Sequence, residues 1–369
     1  MSVPLMDIKA QYEDLLPEIK QLVGDVIESG RFILGPNVRA LEVEVAASVG
    51  YGHAVAVANG TDALELGLQA LGIGPGDEVV TTAYTFFATA EAIARRGATP
   101  VFADIDPVSL CLDPDAAESA ITERTRAVMP VHIFGQTADL RAFRELADRH
   151  GIALIEDAAQ AFGATFEGYR AGSYGDVATF SFFPTKNFPA MGDAGMAIAS
   201  SKEIAEKVRL LRFHGSRDKR VFEQIGVNSR LDEMQAVILR RFLPEVDGWN
   251  EGRVAAAARY RDLGLGEHVS LPEVAPGRSH IYHLYVVRTP AREQLQRRLK
   301  EAGVASAVYY GQPHHLQPVF RHLGYREGSL PVTEAASREG LALPMFPTLV
   351  EEQQREVVNA VRGAASAAA

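Results

Sequence analysis

The chain has 369 residues, 47% of them hydrophobic and 23% charged, with a formal net charge of −10. That composition supplies a large core and, on length, two domains, while the acidic balance argues against nucleic acid or an anionic membrane as partner, since both need a basic surface. The single cysteine, Cys111, excludes an intrachain disulfide, no run of about 18 apolar residues offers a membrane span, and the scattered histidines give no metal-ligand spacing.

The N-terminus, MSVPLMDIKAQYEDLL, carries early acids and no apolar segment. It does not read as a signal peptide, and a cytoplasmic protein is expected. From about residue 50, short apolar runs alternate with helical patterns. The runs are HAVAVAN, DEVVTT, TPVFADI, RAVMPVHI, IALIEDA, VATFSFF and GMAIAS. Between them Leu64, Leu68 and Leu71 fall at i, i+4, i+7, and Leu140, Phe143 and Ala147 at i, i+3, i+7, the spacing of amphipathic helices. Strands alternating with helices predict an α/β fold with a mostly parallel, seven-stranded sheet covered on both faces. A longer helical pattern runs over 229–250. Beyond it HIYHLYVVRT, REQLQRRLKEAG and VASAVYY, with a helix near 350–362, predict a second, smaller α/β unit. The boundary is placed near residue 245, giving units 1–245 and 246–369. The tail GAASAAA is of low complexity and is expected to fray.

In an open parallel sheet a ligand sits beyond the carboxyl ends of the strands. The residues just after each run therefore matter most. Asn59, Gly60 and Thr61 open a helical pattern, where free N–H groups favour a phosphate and Gly60 permits close approach. The same residues serve equally as a plain N-cap with a glycine turn. Glu156 and Asp157 end a buried run, and a carboxylate at that depth needs a partner. A protonated pyridine nitrogen suits Asp157; so does a role as a helix cap. Lys186, in SFFPTKN, follows the next run. Alone it reads as a solvated loop residue or as a nucleophile at the mouth of a cleft. An Asp at one strand end and a Lys at the next are together what a pyridoxal 5′-phosphate (PLP) site requires: a Schiff-base lysine and an acid that keeps the ring nitrogen protonated. Ser181, Gly60 and Thr61 could hold the phosphate, and an aromatic from YTFF could stack on the ring.

The motifs QYEDLLPEI, SGRFILGPNVRALE, ANGTDAL, GPGDEVVTTAYTFFATAEAI, GATPVFADIDP, VHIFGQTAD, IEDAAQAFGA, SFFPTKN, GDAG, RFHG, GVNSRLDEMQA and YYGQPHHLQPVF follow one another in order, within a stretch of about residues 5 to 345. In these the chain resembles the DegT/DnrJ/EryC1/StrS family of sugar aminotransferases. The resemblance implies a fold-type-I PLP architecture and a homodimer whose subunits both contribute to each site. It makes Lys186 the Schiff-base lysine and Asp157 the partner of the pyridinium. Gln160 then lies near the ring oxygen, with Gly60, Thr61 and Ser181 on the phosphate and Phe86 stacked on the ring. Asn228 reaches the partner subunit's phosphate, and Arg230 and His315 line a nucleotide-sugar site. Pro189 and Ala194 stand where the family usually has glycine, so the loop path after Lys186 is expected to differ. The activity implied is transfer of an amino group from an amino acid, L-glutamate, through the pyridoxamine 5′-phosphate form, to a nucleotide-linked keto sugar. C3 stands ahead of C4 as the acceptor carbon. A dehydratase of the same fold is the alternative, but such relatives carry histidine where Lys186 stands. A non-catalytic regulatory role is opposed by the complete set Lys186, Asp157 and Gln160. The basic loop RFHGSRDKR is either a solvated loop or a clamp for a diphosphate or sugar acid.

Overall fold

The computed structural model describes residues 2–365, so the last four residues of the alanine-rich tail lie outside it. All seven apolar runs form strands. In chain order these are β1 His53–Val57, β2 Glu78–Thr82, β3 Thr99–Ala103, β4 Thr125–Met129 and β5 Ala153–Asp157. A two-residue hairpin follows, β6 Thr165–Phe166 and β7 Tyr169–Arg170, and then β8 Val177–Ser181 and β9 Gly195–Ala199. The C-terminal part adds β10 Tyr285–Arg288 and β11 Gly340–Leu343.

The large sheet has seven strands in the order β1-β9-β8-β5-β4-β2-β3. Parallel pairs join β3 to β2, β2 to β4, β4 to β5 and β5 to β8. Strand β9 alone is reversed, antiparallel to β1 on one side and β8 on the other. The strands are apolar on both faces because both faces are covered. Ala54, Ala56, Phe180, Met196 and Ile198 pack on one side with Val45, Leu41 and Leu239 from the helices Pro36–Val49 and Glu233–Phe242. The alternate residues Val55, Val57, Ala197 and Ala199 pack on the other with Leu66 and Val208 from the helices Gly60–Ala70 and Lys202–Leu211, the two-residue period of a strand.

The helical spacings also hold. Leu64 and Leu68 are buried in Gly60–Ala70, and Leu140, Phe143 and Ala147 in Leu140–His150, whose first turn is capped by Asp139. The single long helix expected over 229–250 is instead two helices, Glu233–Phe242 and Val246–Asp262, joined by a 3₁₀ turn over Leu243–Glu245. Pro244 sits in that turn, and its missing N–H cannot continue an α-helical ladder.

The C-terminal part has its own antiparallel pair, β10 with β11. Its core gathers Tyr260, Tyr285, Leu295, Leu299, Leu341, Val357 and Val361, and also Val3 from the start of the chain. Strand β11 was not anticipated, and VASAVYY is no strand beyond two isolated bridges, Val304 to Val3 and Ala307 to Ala342. Among the described residues no helix is long and apolar enough to cross a membrane.

Candidate active site

The site forms where β1, β5 and β8 end and β9 begins. Val57, Gly195 and Ser181 lie side by side across three strands. The Asn59 side chain accepts from Asp62 N at 2.8 Å and starts the helix Gly60–Ala70. Asn59 is therefore the N-cap, and the amides of Gly60 and Thr61 open that helix. Two glycines make the corner possible. A Cβ on Gly60 would fall 2.7 Å from Ser181 Cβ, and one on Gly195 would collide with the Asn59 carbonyl. The result is a notch bounded by a helix N-terminus, a serine and glycine backbone, which is the donor set a phosphate needs.

Asp157 ends β5 and is 4% exposed. Thr89 Oγ1 donates to its Oδ2 at 2.7 Å, and Ala159 N donates to Oδ1 at 3.2 Å. Burial pushes the carboxyl upward, opposed by the Thr89 and Ala159 hydrogen bonds and the charges of Lys186 and His132. The segment after Asp157 is a turn, not a helix, so the helix-cap role has no helix to serve.

Lys186 follows β8 in a turn closed by its own N–H to the Phe183 carbonyl at 2.8 Å. Desolvation brings its ammonium down to about 8, with the Asp157 charge pulling the other way. Among the described residues the amine has neither a hydrogen bond nor an ion pair. The structure thus brings Lys186 and Asp157 into one electrostatic environment. The loop beyond, with Pro189 and Ala194 buried, is fixed by Phe182 N to the Ala194 carbonyl at 2.9 Å and by Met191 N to Gln235 Oε1 at 2.9 Å.

Gln160 is buried and partly committed. Its Oε1 accepts from Phe134 N at 2.8 Å and its Nε2 donates to the Tyr310 hydroxyl at 2.8 Å. One amide N–H remains for a ring oxygen. Phe86 is 60% exposed on the rim, as a ring-stacking side chain must be before its ligand arrives. Asn228 is exposed and bridges to Phe213. The Arg230 guanidinium lies 5.7 Å from the Phe213 ring centroid and has no ion pair among the described residues. His315 differs from them. It is 1% exposed, and its Nε2 lies 3.0 Å from Glu334 Oε1. Glu334 is further held by the backbone amides of Gly328 and Leu330. This histidine is buried and engaged through Nε2, while its Nδ1 has no hydrogen-bond partner among the described residues.

The model of the DegT/DnrJ/EryC1/StrS aminotransferase family matches residues 13–362. The chain belongs to that family. It is 52% identical to a "Pleiotropic regulatory protein" of Geobacillus stearothermophilus, over 98% of each chain. It is 44% identical to a UDP-N-acetyl-3-dehydro-α-D-glucosamine 3-aminotransferase of Acidithiobacillus ferrooxidans, over 98% of this chain and 97% of that one. Among solved structures, S. venezuelae DesV in complex with a ketimine intermediate superposes with a TM-score of 0.95 at 45% identity, over 98% of each chain. The fold is the expected fold type I of PLP-dependent transferases.

Sequence reasoning missed several residues of this aminotransferase site. Thr89 and Thr85 stand inside the quoted TTAYTFFATA, and their i, i+4 spacing on a helix start was the available signal. Tyr310, stacked parallel to Phe134 at 5.8 Å, and His283, buried with Nδ1 unpartnered, come from two segments distant in sequence from Lys186, and nothing in their local pattern marked them as neighbours of the site.

Proposed function

We propose that this aminotransferase moves an amino group from an amino acid, L-glutamate, to C3 of a keto sugar linked to a nucleoside diphosphate. The observation that carries the reading is a desolvated Lys186, without a hydrogen bond or ion pair among the described residues, in the field of the buried carboxylate of Asp157 and near the notch at the start of the helix Gly60–Ala70. Those residues fit PLP: the start of the helix Gly60–Ala70 supplies amide donors, the bare Gly60 lets Ser181 lie against that helix start, and Asp157 supplies an anion for a pyridinium. When bound, PLP, which alternates with its pyridoxamine form, withdraws electrons from the carbon that exchanges its amine. Lys186, lowered to about 8, has a far larger neutral fraction near neutral pH than an ordinary lysine, and that free amine can bind covalently or carry a proton to and from that carbon. Asp157 keeps the ring nitrogen protonated. Gly60, Thr61 and Ser181 hold the phosphate, Phe86 covers the ring, and Gln160 donates its spare N–H to the ring oxygen. The relative whose name specifies a 3-aminotransferase for a UDP-linked sugar supports C3 and a nucleotide-linked acceptor. The ketimine in DesV, the condensation product of an amine and a ketone, supports the chemistry.

Further parts of the reading are the division into units 1–245 and 246–369, a cytoplasmic location, and a homodimer in which Asn228 completes the neighbour's phosphate site. Its exposure suits that task. Arg230 is assigned to the nucleotide sugar, because a free guanidinium grips phosphate or carboxylate oxygens in a fork. The regulatory name of one relative favours a second reading, a sensor without turnover; the intact Lys186 and Asp157 oppose it.

The test is to convert the protein to the pyridoxamine form with glutamate, remove the amino acid, and add a panel of nucleotide 3-keto and 4-keto sugars. Return of the pyridoxal absorbance with a 3-keto sugar is expected. No return with any keto sugar, in protein that accepts amine from glutamate, sinks the acceptor assignment. Mixing Lys186→Ala with Asn228→Ala protein should give activity above either parent. Its absence after proven subunit exchange would argue for sites built from one chain.

A further inference from the structure

The carboxylate of Asp157 is held by an ordered pair of hydroxyls that none of the assignments above includes. Thr89 Oγ1 lies 2.7 Å from Asp157 Oδ2, and Thr85 Oγ1 lies 3.1 Å from Thr89 Oγ1. Thr85 and Thr89 are each 1% exposed, so water does not compete for either. The direction of these bonds follows from chemistry. An ionised carboxylate only accepts, so the Thr89 proton must point at Asp157. Thr89 then has only lone pairs left for Thr85, so Thr85 must donate to Thr89. Hydrogen bonds in such a chain strengthen one another, the more so in a dry site. The chain begins in the turn that carries Phe86, for Thr89 N also donates to the Phe86 carbonyl at 3.3 Å. One short segment thus fixes both the exposed ring over the site and the acid beneath it.

We propose that Thr89, backed by Thr85, is a positioning residue that holds Asp157 as an anion aimed at the ring nitrogen and so sets how fully that nitrogen is protonated. The proposal rests on the reading that Asp157 faces the pyridine nitrogen. Its physical core is a competition for one proton. A carboxylate buried to 4% exposure is poorly solvated, and each hydrogen bond removed makes it more basic. A more basic Asp157 draws the proton off the ring nitrogen and weakens the electron sink. Lys186 and His132, the charges that also favour the anion, are untouched by a change at Thr89, so its effect is separable from theirs.

The test uses holoenzyme loaded with PLP labelled with ¹⁵N in the ring, and reads the ring-nitrogen chemical shift, which reports protonation directly. Thr89→Val keeps the side-chain shape and removes the donor. Its resonance should move toward that of a neutral pyridine, with cofactor affinity lowered roughly ten- to a hundredfold, the loss expected for a hydrogen bond to a charged group. Thr89→Ser, which restores the hydroxyl, should return the shift to the wild-type position. Thr85→Val, which removes only the outer donor, should move it in the same direction by less. Asp157→Asn, measured alongside, fixes the far end of the scale. A wild-type shift in Thr89→Val with a displaced shift in Asp157→Asn overturns the proposal and leaves the Asp157 assignment standing. An unmoved shift in Asp157→Asn overturns that assignment and the proposal with it. If Thr89→Val cannot be purified loaded, an unmoved Thr85→Val resonance is enough to reject the directed chain.

Discussion

Glu156 and Asp157 are adjacent, both buried and both carboxylates, yet the fold treats them in opposite ways. Glu156, 0% exposed, accepts from three backbone amides, Gly172 at 2.8 Å, Tyr174 at 2.8 Å and Gly175 at 2.7 Å, and lies 2.9 Å from His132 Nε2. Burial pushes its carboxyl up, but His132 and those amides more than offset this and leave it lowered. Asp157 receives one hydroxyl and one longer amide bond and stays raised, chiefly by burial. The same contrast separates His315, paired with Glu334, from Arg230, which has no ion pair among the described residues. Glu156, saturated with donors, anchors the chain, whereas a group left short of partners is available to a ligand; His315 stands between, held through Nε2 with its Nδ1 unpartnered.

The largest effect should come from Lys186, whose amine has neither a hydrogen bond nor an ion pair among the described residues. Lys186→Ala should lose turnover by a factor on the order of 10⁴, and borohydride should no longer fix cofactor mass on the peptide holding residue 186. Native turnover in this variant would show that the lowered amine is an accident of burial.

The carboxylate pair gives the sharper comparison. Asp157→Asn should cut turnover by roughly a hundred- to a thousandfold, the scale of losing one member of a buried charge pair, with little change in melting temperature. Glu156→Gln should do the reverse. Its amide places an N–H against a backbone N–H, and the protein should lose about 3 kcal/mol of stability while its folded fraction turns over nearly normally. Thermal melts and active-site-titrated rates separate the two. Matching profiles for both variants would erase the distinction between saturated and unsaturated acids.

Arg230 and His315 extend the comparison to the rim. Arg230→Ala should raise the KM for the nucleotide sugar about ten- to a hundredfold and spare the glutamate half-reaction. His315→Ala should instead lower the melting temperature, because it strands Glu334 in a buried position. If His315→Ala changes only the sugar KM, the contact with Glu334 opens when ligand binds.

Where periodicity governs, the fold was legible in the sequence. Seven buried strands announce themselves as apolar runs because covered parallel strands need no polar face. Lys186 and Asp157 were legible because strand ends converge on one rim, so residues in two distant runs could be placed side by side. What stayed hidden depends on three-dimensional neighbours. Nothing around His315 in the sequence marks Glu334 as its partner, and the same imidazole next to open space would be a ligand. Strand β11, GLAL, is four residues of small and apolar side chains that read equally as the end of the helix Pro331–Glu339. Its pairing with β10 decides the matter. The split of the long helix was written in Pro244 but was outweighed by apolar spacing on both sides.

The smallest effect tests burial of Lys186 without any chemistry. In the unfolded chain this lysine titrates near the ordinary 10.5, and in the folded, cofactor-free protein near about 8. Below about pH 8 both states hold the proton, and the folded state bears the full cost of a poorly solvated ammonium. Between about 8 and 10.5 the unfolded state binds more protons than the folded one, so stability rises with pH across that window. Above it both are neutral and the cost is gone. Other lysines and the tyrosines titrate in the same range, so the informative quantity is the stability of the wild type minus that of Lys186→Met. Methionine keeps most of the side-chain volume and carries no charge. The difference should be most unfavourable to the wild type at neutral pH, climb from about pH 8 to about 10.5, and be flat outside those limits. A difference that stays flat through the window would mean that the ammonium remains hydrated in the folded protein. Lys186 would then be no different in kind from the exposed lysines, and the contrast between partnered and unpartnered groups would have to rest on Asp157 and Arg230 alone.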